Sequence, residues 1–169
     1  MAEGDPGAPY TDASRARLEV AFAAYELADL ARAAVAIGAH ELSPDGTARS
    51  GGSALADAAR VLAAARRLVE AAAVFERVGG ADWQLVGDTL GVSAEAARAR
   101  FAVAEVCFRE GSDGARGEAS WWRAYLAEEP LEAARDLDDW VLRHEDGAGA
   151  LGTTPVSGGL VRRSGRSGG

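Results

Sequence analysis

Apolar side chains recur three and four residues apart along most of the chain, a spacing that places them on one face of an α-helix. This pattern predicts a first helix from residue 11 or 14 to about residue 40. One apolar stripe of that helix contains Val20, Ala23, Leu27, Leu30, Ala34 and Ile37, and a second contains Leu18, Phe22 and Tyr25. Because the sequence offers later helices to cover both stripes, we expect them to pack within the chain and favour a monomer over a homodimer.

The same spacing continues after a Gly- and Pro-containing loop at residues 42–53. A second helix is predicted for residues 54–78, with an inner face of Leu55, Ala58, Leu62, Ala65, Val69, Ala72 and Phe75. Two short helices follow between 82 and 108, then one at 118–128 and a last one from Pro130 to about His144. The sequence therefore predicts an all-α fold, a compact bundle of about five or six helices spanning residues 11–145.

The two ends of the chain have a different composition. Residues 1–10 are rich in Gly and Pro, and residues 146–169 are rich in Gly, Ser and Arg. Segments with so few large apolar side chains cannot bury enough surface to offset the entropy of ordering them. Both are predicted to be disordered tails.

Residues 82–101 (DWQLVGDTLGVSAEAARARF) have the pattern of two short helices joined at a tight corner. Asp82 and Ser93 are residue types that cap helix N-termini, and Gly91 follows the last apolar residue of the first helix. Gly87 leaves room for the second helix to approach closely. This arrangement predicts a central helix-turn-helix, whose second helix can enter the major groove of DNA.

The motif W-x-x-V-G-x-x-L-G-V-S-x-x-A-A-x-x-R-F resembles the small helix-turn-helix domains of actinobacterial regulators, which are themselves similar to region 4 of sigma factors. The resemblance covers about residues 62–108 and is carried by Trp83, Val86, Gly87, Leu90, Gly91, Val92, Ser93, Ala96, Ala97, Arg100 and Phe101. It implies a DNA-binding transcriptional regulator that contacts double-stranded DNA. Ala94 and Glu95 stand where this family usually carries long polar residues such as Arg-Gln.

The start of the second helix supplies the residues predicted to touch DNA, namely Ser93, Ala94, Glu95, Arg98 and Arg100. In a major groove Arg98 suits guanine O6 and N7, Glu95 suits cytosine N4, and Ala94 suits a thymine methyl group. Arg100 lies beside the inner face and is predicted to reach a phosphate. Arg66 and Arg67 on the preceding helix are candidates for flanking phosphate contacts, although an ordinary solvated helix face is the favoured interpretation of that pair.

Charge and rare residues restrict the alternatives. The net charge is −8 and all 18 basic residues are Arg, so any attraction to DNA must come from a local patch. Cys107 is the one cysteine, and His40 and His144 belong to no ligand-spaced motif, so we expect no metal, no cofactor and no enzymatic activity. With neither a signal peptide nor an apolar run of the ~18 residues that a membrane span requires, the protein is expected to be cytoplasmic and to avoid membranes.

A second hypothesis keeps the helix-turn-helix as a scaffold. In that case the protein binds a partner of the transcription machinery through its acidic C-terminal helices and the Trp121-Trp122 pair. The two indoles cannot face the same direction on one helix, so one is expected in the core and the other at a surface. Trp122 is the residue we predict to contact the partner.

Overall fold

A computed structural model describes residues 10–111, 120–145 and 149–164 of the 169-residue chain. Those residues form six α-helices and one short 3₁₀ turn, without a β-strand, which confirms the predicted all-α fold of five or six helices. No helix in these ranges has the length and hydropathy needed to cross a bilayer. The helices are α1 (Asp12–Ala33), α2 (Ser53–Val78), α3 (Trp83–Leu90), α4 (Ala94–Glu110), α5 (Ser120–Glu128) and α6 (Pro130–Arg143).

The first helix is shorter than predicted. It begins as expected at a Thr11 cap, whose hydroxyl accepts a hydrogen bond from the Ser14 backbone 3.2 Å away. It ends at Ala33 rather than near His40, and Ile37, assigned to the packed stripe, is 75% exposed. A loop replaces the predicted last turns of the helix. In this loop Glu41 accepts a hydrogen bond from the Gly38 backbone, and residues 42 and 48 form a bridge.

The early end of α1 also changes the burial of α2. The two helices pack along each other as the main helix pair, but residues 51–60 are all exposed. Leu55 is 75% exposed and Leu62 is half exposed, so the predicted inner face is wrong over the first turns of α2. The physical reason is that α1 stops before it can cover them. Burial on α2 begins at Ala64 and includes Ala73 and Val74.

Two separate apolar clusters hold the remaining helices on this pair. One lies between α1, α5 and α6, where Leu18 packs with Trp122, Leu126 and Leu137. The other lies between α2, α3 and α4 and is described with the candidate site below. Burying each such side chain contributes roughly 1.5–3 kcal/mol, so the two clusters supply a large share of the stability.

The C-terminal segment is not the disordered tail that its composition suggests. Residues 149–164 fold back on the helices, and a 3₁₀ turn (Ser157–Gly159) sits against α6. Asp138 on α6 is buried and accepts hydrogen bonds from the backbones of Val156 (2.6 Å) and Ser157 (3.0 Å). Val156 and Leu160 then pack against the α1–α5–α6 cluster. The prediction for 146–169 is therefore wrong over this segment, while residues 146–148 and 165–169 lie outside the described residues.

The same segment reaches the start of α1. The Val161 backbone receives a hydrogen bond from Thr11 (2.9 Å) and donates one to the Ser14 hydroxyl (2.8 Å). Tyr10, assigned by sequence to a disordered N-terminal tail, is buried and forms an antiparallel bridge with Arg162. The rest of that predicted tail, residues 1–9, lies outside the described residues. A buried aromatic ring and paired backbone groups explain why order extends to Tyr10.

Candidate nucleic-acid interface

The corner between α3 and α4 has the geometry of a helix-turn-helix. Asp82 caps α3 by accepting a hydrogen bond from the Leu85 backbone at 2.8 Å, and Ser93 caps α4 by accepting one from Ala96 at 3.1 Å. Gly91 ends α3 with a φ of 70°, in the left-handed region where a side chain adds strain. The three residues that the sequence assigned to the corner therefore have their predicted roles.

A second glycine sets how closely the two helices approach. A Cβ atom on Gly87 would lie 2.7 Å from the carbonyl oxygen of Val92 and 3.0 Å from the backbone nitrogen of Ala94. Both neighbours are backbone atoms and cannot move aside as a flexible side chain can. The Val92 backbone also donates a hydrogen bond to the Gly87 carbonyl at 2.9 Å. Gly87 thereby fixes the start of α4 against the middle of α3.

An apolar cluster beneath the corner joins it to α2. Phe101 of α4 is almost fully buried and packs with Ala73 of α2, Val86 of α3 and Ala97 of α4. Trp83 covers one side of this cluster and is only partly buried. The spacing of Ala97 and Phe101 four residues apart had indicated this inner face of α4, and the structure confirms it.

An ion-pair network on the same inner face was missed in the sequence. Glu105 follows Ala97 and Phe101 at the same four-residue spacing and is buried, with its carboxylate 2.9 Å from both the Arg77 and the Arg109 guanidinium. Arg77 of α2 also donates to the Ala81 carbonyl and lies 4.4 Å from the centre of the Trp83 ring. The sequence did indicate this network. The four-residue spacing places the Glu105 carboxylate on the buried apolar face, where a charged group requires a partner.

The network perturbs the ionisation of its central carboxylate. Burial by itself raises the pKa of Glu105. Hydrogen bonds from Arg77 and Arg109, together with the positive charge of both groups, act in the opposite direction and outweigh burial. The pKa of Glu105 is therefore lower than the usual glutamate value, and the carboxylate is ionised at neutral pH.

The residues predicted to contact DNA lie at the start of α4, and most of them are accessible. Glu95, Arg98 and Arg100 are exposed, and the Arg100 guanidinium lies 4.9 Å from the centre of the Phe101 ring. Ala94 is half-buried, since its backbone lies against Gly87. Ser93 is exposed, and its hydroxyl already accepts the capping hydrogen bond.

The two arginines proposed to flank the motif differ. Arg66 is exposed on α2. Arg67 is half-buried and forms a salt bridge with Glu26 of α1, with N–O distances of 3.1 and 3.2 Å. The assignment of Arg67 to a phosphate contact is therefore wrong, because reaching DNA would break this interhelical pair and leave Glu26 without its charge partner.

Trp122, the tryptophan predicted to contact a partner protein, lies in the apolar core instead. Trp122 is 3% exposed, and its ring stacks on Phe22 with the ring centres 5.0 Å apart. Trp121 is 66% exposed. The reasoning that only one indole faces the core is confirmed, but the assignment of Trp122 to the surface is wrong. α5 packs against α1 through the side that carries Trp122 and Leu126. Which side of α5 faces α1 depends on contacts between residues far apart in the sequence.

Comparison with known proteins adds no assignment. The sequence matches no family model, no curated protein and no solved structure at a significant level. The geometry of the α3–α4 corner is thus the basis on which a function is inferred.

Proposed function

We propose that this protein is a DNA-binding transcriptional regulator whose α3–α4 corner binds double-stranded DNA. The observation that carries the proposal is the exposed start of α4, held against α3 by the Gly87 approach and the Ser93 cap. A rigid helix with exposed residues in its first turns is the part that a helix-turn-helix inserts into the major groove. Capped N-termini also direct backbone N–H groups toward phosphates.

Four of the five residues predicted to touch DNA have distinct roles in this proposal. Arg98 reads a guanine through O6 and N7, and Glu95 accepts a hydrogen bond from cytosine N4. Ala94 is half-buried and approaches a thymine methyl only along the edge of the helix. Arg100 contacts a phosphate, since the Phe101 ring holds its guanidinium beside the inner face.

The charges around the corner predict weak binding. Residues 79–110 contain five acids and three arginines, and Glu105 and Arg109 neutralise each other inside the network. Arg98 is assigned to a base and Arg67 is engaged with Glu26, so Arg100 and Arg66 remain as exposed cations for phosphates. Two phosphate contacts correspond to a slope of about −2 in log K against log salt, much shallower than that of a strongly basic regulator.

Fluorescence anisotropy with DNA from the protein's own upstream region tests the proposal. Titrations at about 50 and 200 mM salt give the slope. Arg98→Ala should weaken binding to the preferred sequence by about 1–3 kcal/mol and relax the preference at one base pair. Arg100→Ala should weaken all sequences alike and flatten the slope. Arg135→Ala is the matched control, because Arg135 is an exposed arginine on α6, remote from the corner.

One combination of results would contradict the DNA-binding proposal. If folded wild-type protein binds no DNA at the lower salt, and neither arginine substitution changes anything relative to Arg135→Ala, the DNA-binding proposal is wrong. Circular dichroism of each variant establishes that the helices are intact before the titration is interpreted.

One observation favours a second candidate, a protein-interaction module. Val103 and Val106 lie three residues apart on α4 and are each at least half exposed, so they form an apolar strip on the outer face of the helix-turn-helix. Solvent-exposed β-branched residues at this spacing suit contact with another helix. Binding to purified RNA polymerase that is abolished by Val103→Glu but unchanged by Arg98→Ala would favour this candidate over DNA binding.

A further inference from the structure

A cavity on the other side of the helix pair has no role in the proposed DNA contact. It has a volume of about 680 Å³ and is lined by residues of α1, α5 and α6, with Arg67 as its contribution from α2. That volume lies within the range of small-molecule sites in proteins. Its walls contain none of the α3 and α4 residues, so the cavity is distinct from the candidate DNA interface.

Aromatic rings make up much of the cavity wall. The lining includes Phe22, Tyr25, Trp121, Trp122, Tyr125 and Trp140. Phe22 contacts Trp122 in a stacked arrangement and Trp121 edge-on, with ring centres 5.0 and 6.4 Å apart. Tyr25 packs edge-on against Trp140 at 5.6 Å, which continues the aromatic wall from α5 to α6. Aromatic faces carry partial negative charge and attract cations.

The charged groups of the lining favour the same kind of ligand. Four carboxylates and two guanidinium groups line the cavity, which gives it a net charge of −2. Glu26 is neutralised by Arg67, and Asp136 accepts a hydrogen bond from the Tyr125 hydroxyl at 2.7 Å. Asp29 and Asp139 form no salt bridge within the described ranges, and Arg143 donates to the backbone carbonyl of Asp139 rather than to its carboxylate.

We propose that this cavity is a binding site for a small organic cation, a quaternary or protonated amine with an apolar body. The rings of Trp121 and Trp140 contact the cationic group, and the carboxylates of Asp29 and Asp139 supply the long-range attraction. An aromatic wall alone would accept neutral ligands as well, and acids alone would attract any inorganic cation. The combination selects charge and apolar surface together.

Isothermal titration with benzyltrimethylammonium tests the site, and benzenesulfonate serves as a ligand of similar size and opposite charge. The full-length protein should bind the cation and release heat, with a change in tryptophan fluorescence, and should not bind the anion. Trp121→Leu should weaken binding about three- to fivefold, whereas Trp121→Phe retains most of it because a ring is still present. Trp121 is exposed, so neither change should alter the fold.

A charge-matched pair of variants separates the carboxylates from the net charge of the protein. Asp29→Asn/Asp139→Asn should weaken binding of the cation at least about fivefold at low salt, since each carboxylate still attracts a nearby cation in a solvated site. Asp57→Asn/Asp88→Asn removes the same charge from exposed positions outside the cavity and should leave affinity unchanged. Equal binding of cation and anion, no binding of the cation at millimolar concentration, or equal effects of the two double variants would each overturn the proposal. The titration contains no DNA, so its outcome is independent of the DNA-binding proposal.

Discussion

Removing the Glu105 carboxylate is the sharpest test of how the helix-turn-helix is attached to the rest of the protein. Glu105 joins α4 to Arg77 of α2, and Arg77 in turn contacts the Ala81 carbonyl and the Trp83 ring at the start of α3. One carboxylate therefore connects three helices. In Glu105→Ala, Arg77 and Arg109 lose their shared partner, and the half-buried Arg77 charge is left uncompensated.

The expected magnitude follows from the burial of the pair. Breaking a fully buried pair by deleting one partner costs about 3–5 kcal/mol, and hydrogen bonds to charged groups contribute about 1.5–3 kcal/mol. The side chains of Glu105 and Arg77 retain 11% and 22% exposure, so water partly solvates the orphaned arginine. We therefore expect a loss of about 2–4 kcal/mol, or roughly 5–15 °C in melting temperature for a chain of this size.

Thermal and urea unfolding monitored by circular dichroism measure this loss. Glu76→Ala is the matched control, because Glu76 is an exposed glutamate in the neighbouring part of α2 and has the same helix propensity. The reasoning is refuted if Glu105→Ala and Glu76→Ala unfold within about 0.5 kcal/mol of each other, the size expected of an ordinary surface substitution.

The contribution of Glu105 to stability should depend on pH. The folded-state pKa of Glu105 is lowered, so its contribution to the free energy of unfolding is complete above the ordinary glutamate pKa of 4.5 and is lost as the pH falls through the folded value. The stability gap between wild type and Glu105→Gln should therefore be largest near neutral pH and should narrow in acid. A gap that stays constant down to the acid transition would contradict the assignment of Arg77 and Arg109 as the cause.

Substitutions at three further positions, each in a separate part of the fold, are tested by thermal unfolding and proteolysis. Gly87→Ala should cost about 1–3 kcal/mol, since its Cβ would lie 2.7 Å from the Val92 carbonyl; a melting temperature equal to wild type would refute the close approach. Gly91→Val should cost at least about 1–2 kcal/mol and Gly91→Asn clearly less, because Asn tolerates a positive φ; equal costs would argue against strain. Asp138→Ala should expose residues 149–164 to rapid proteolysis, while Asp139→Ala, at an exposed neighbour, should not.

The helix-turn-helix was predictable because its determinants are local. The caps Asp82 and Ser93 bond to backbone groups three residues away, and the Gly91 conformation is set by its own φ. The apolar spacing of Ala97 and Phe101 lies within two turns of one helix. None of these features depends on residues distant in the sequence, and each is found at the position that the sequence pattern indicates.

Interactions between distant residues account for the errors. Arg67 was assigned to DNA because nothing nearby in sequence shows that Glu26, 41 residues earlier, is its partner. The composition of the tail predicts disorder, yet buried Asp138 accepts hydrogen bonds from the backbone 18 and 19 residues later, and Val156 and Leu160 pack on the apolar cluster. Trp121 and Trp122 are equally apolar, and only the position of α1 decides which one is buried. In each case the contact that decides the outcome joins residues far apart in the sequence, which the spacing of apolar residues along one helix does not show.

The two proposed sites meet in one helix. Val69 and Ala73 of α2 pack beneath the α3–α4 corner, whereas Arg67, two and six residues before them on the same helix, lines the cavity and pairs with Glu26. An α-helix rises 1.5 Å per residue, so these contacts lie within about 10 Å along its axis. Among the described elements, α2 is the one that contributes side chains to both sites. The Arg67–Glu26 ion pair therefore joins the wall of the cavity to the helix against which the α3–α4 corner packs.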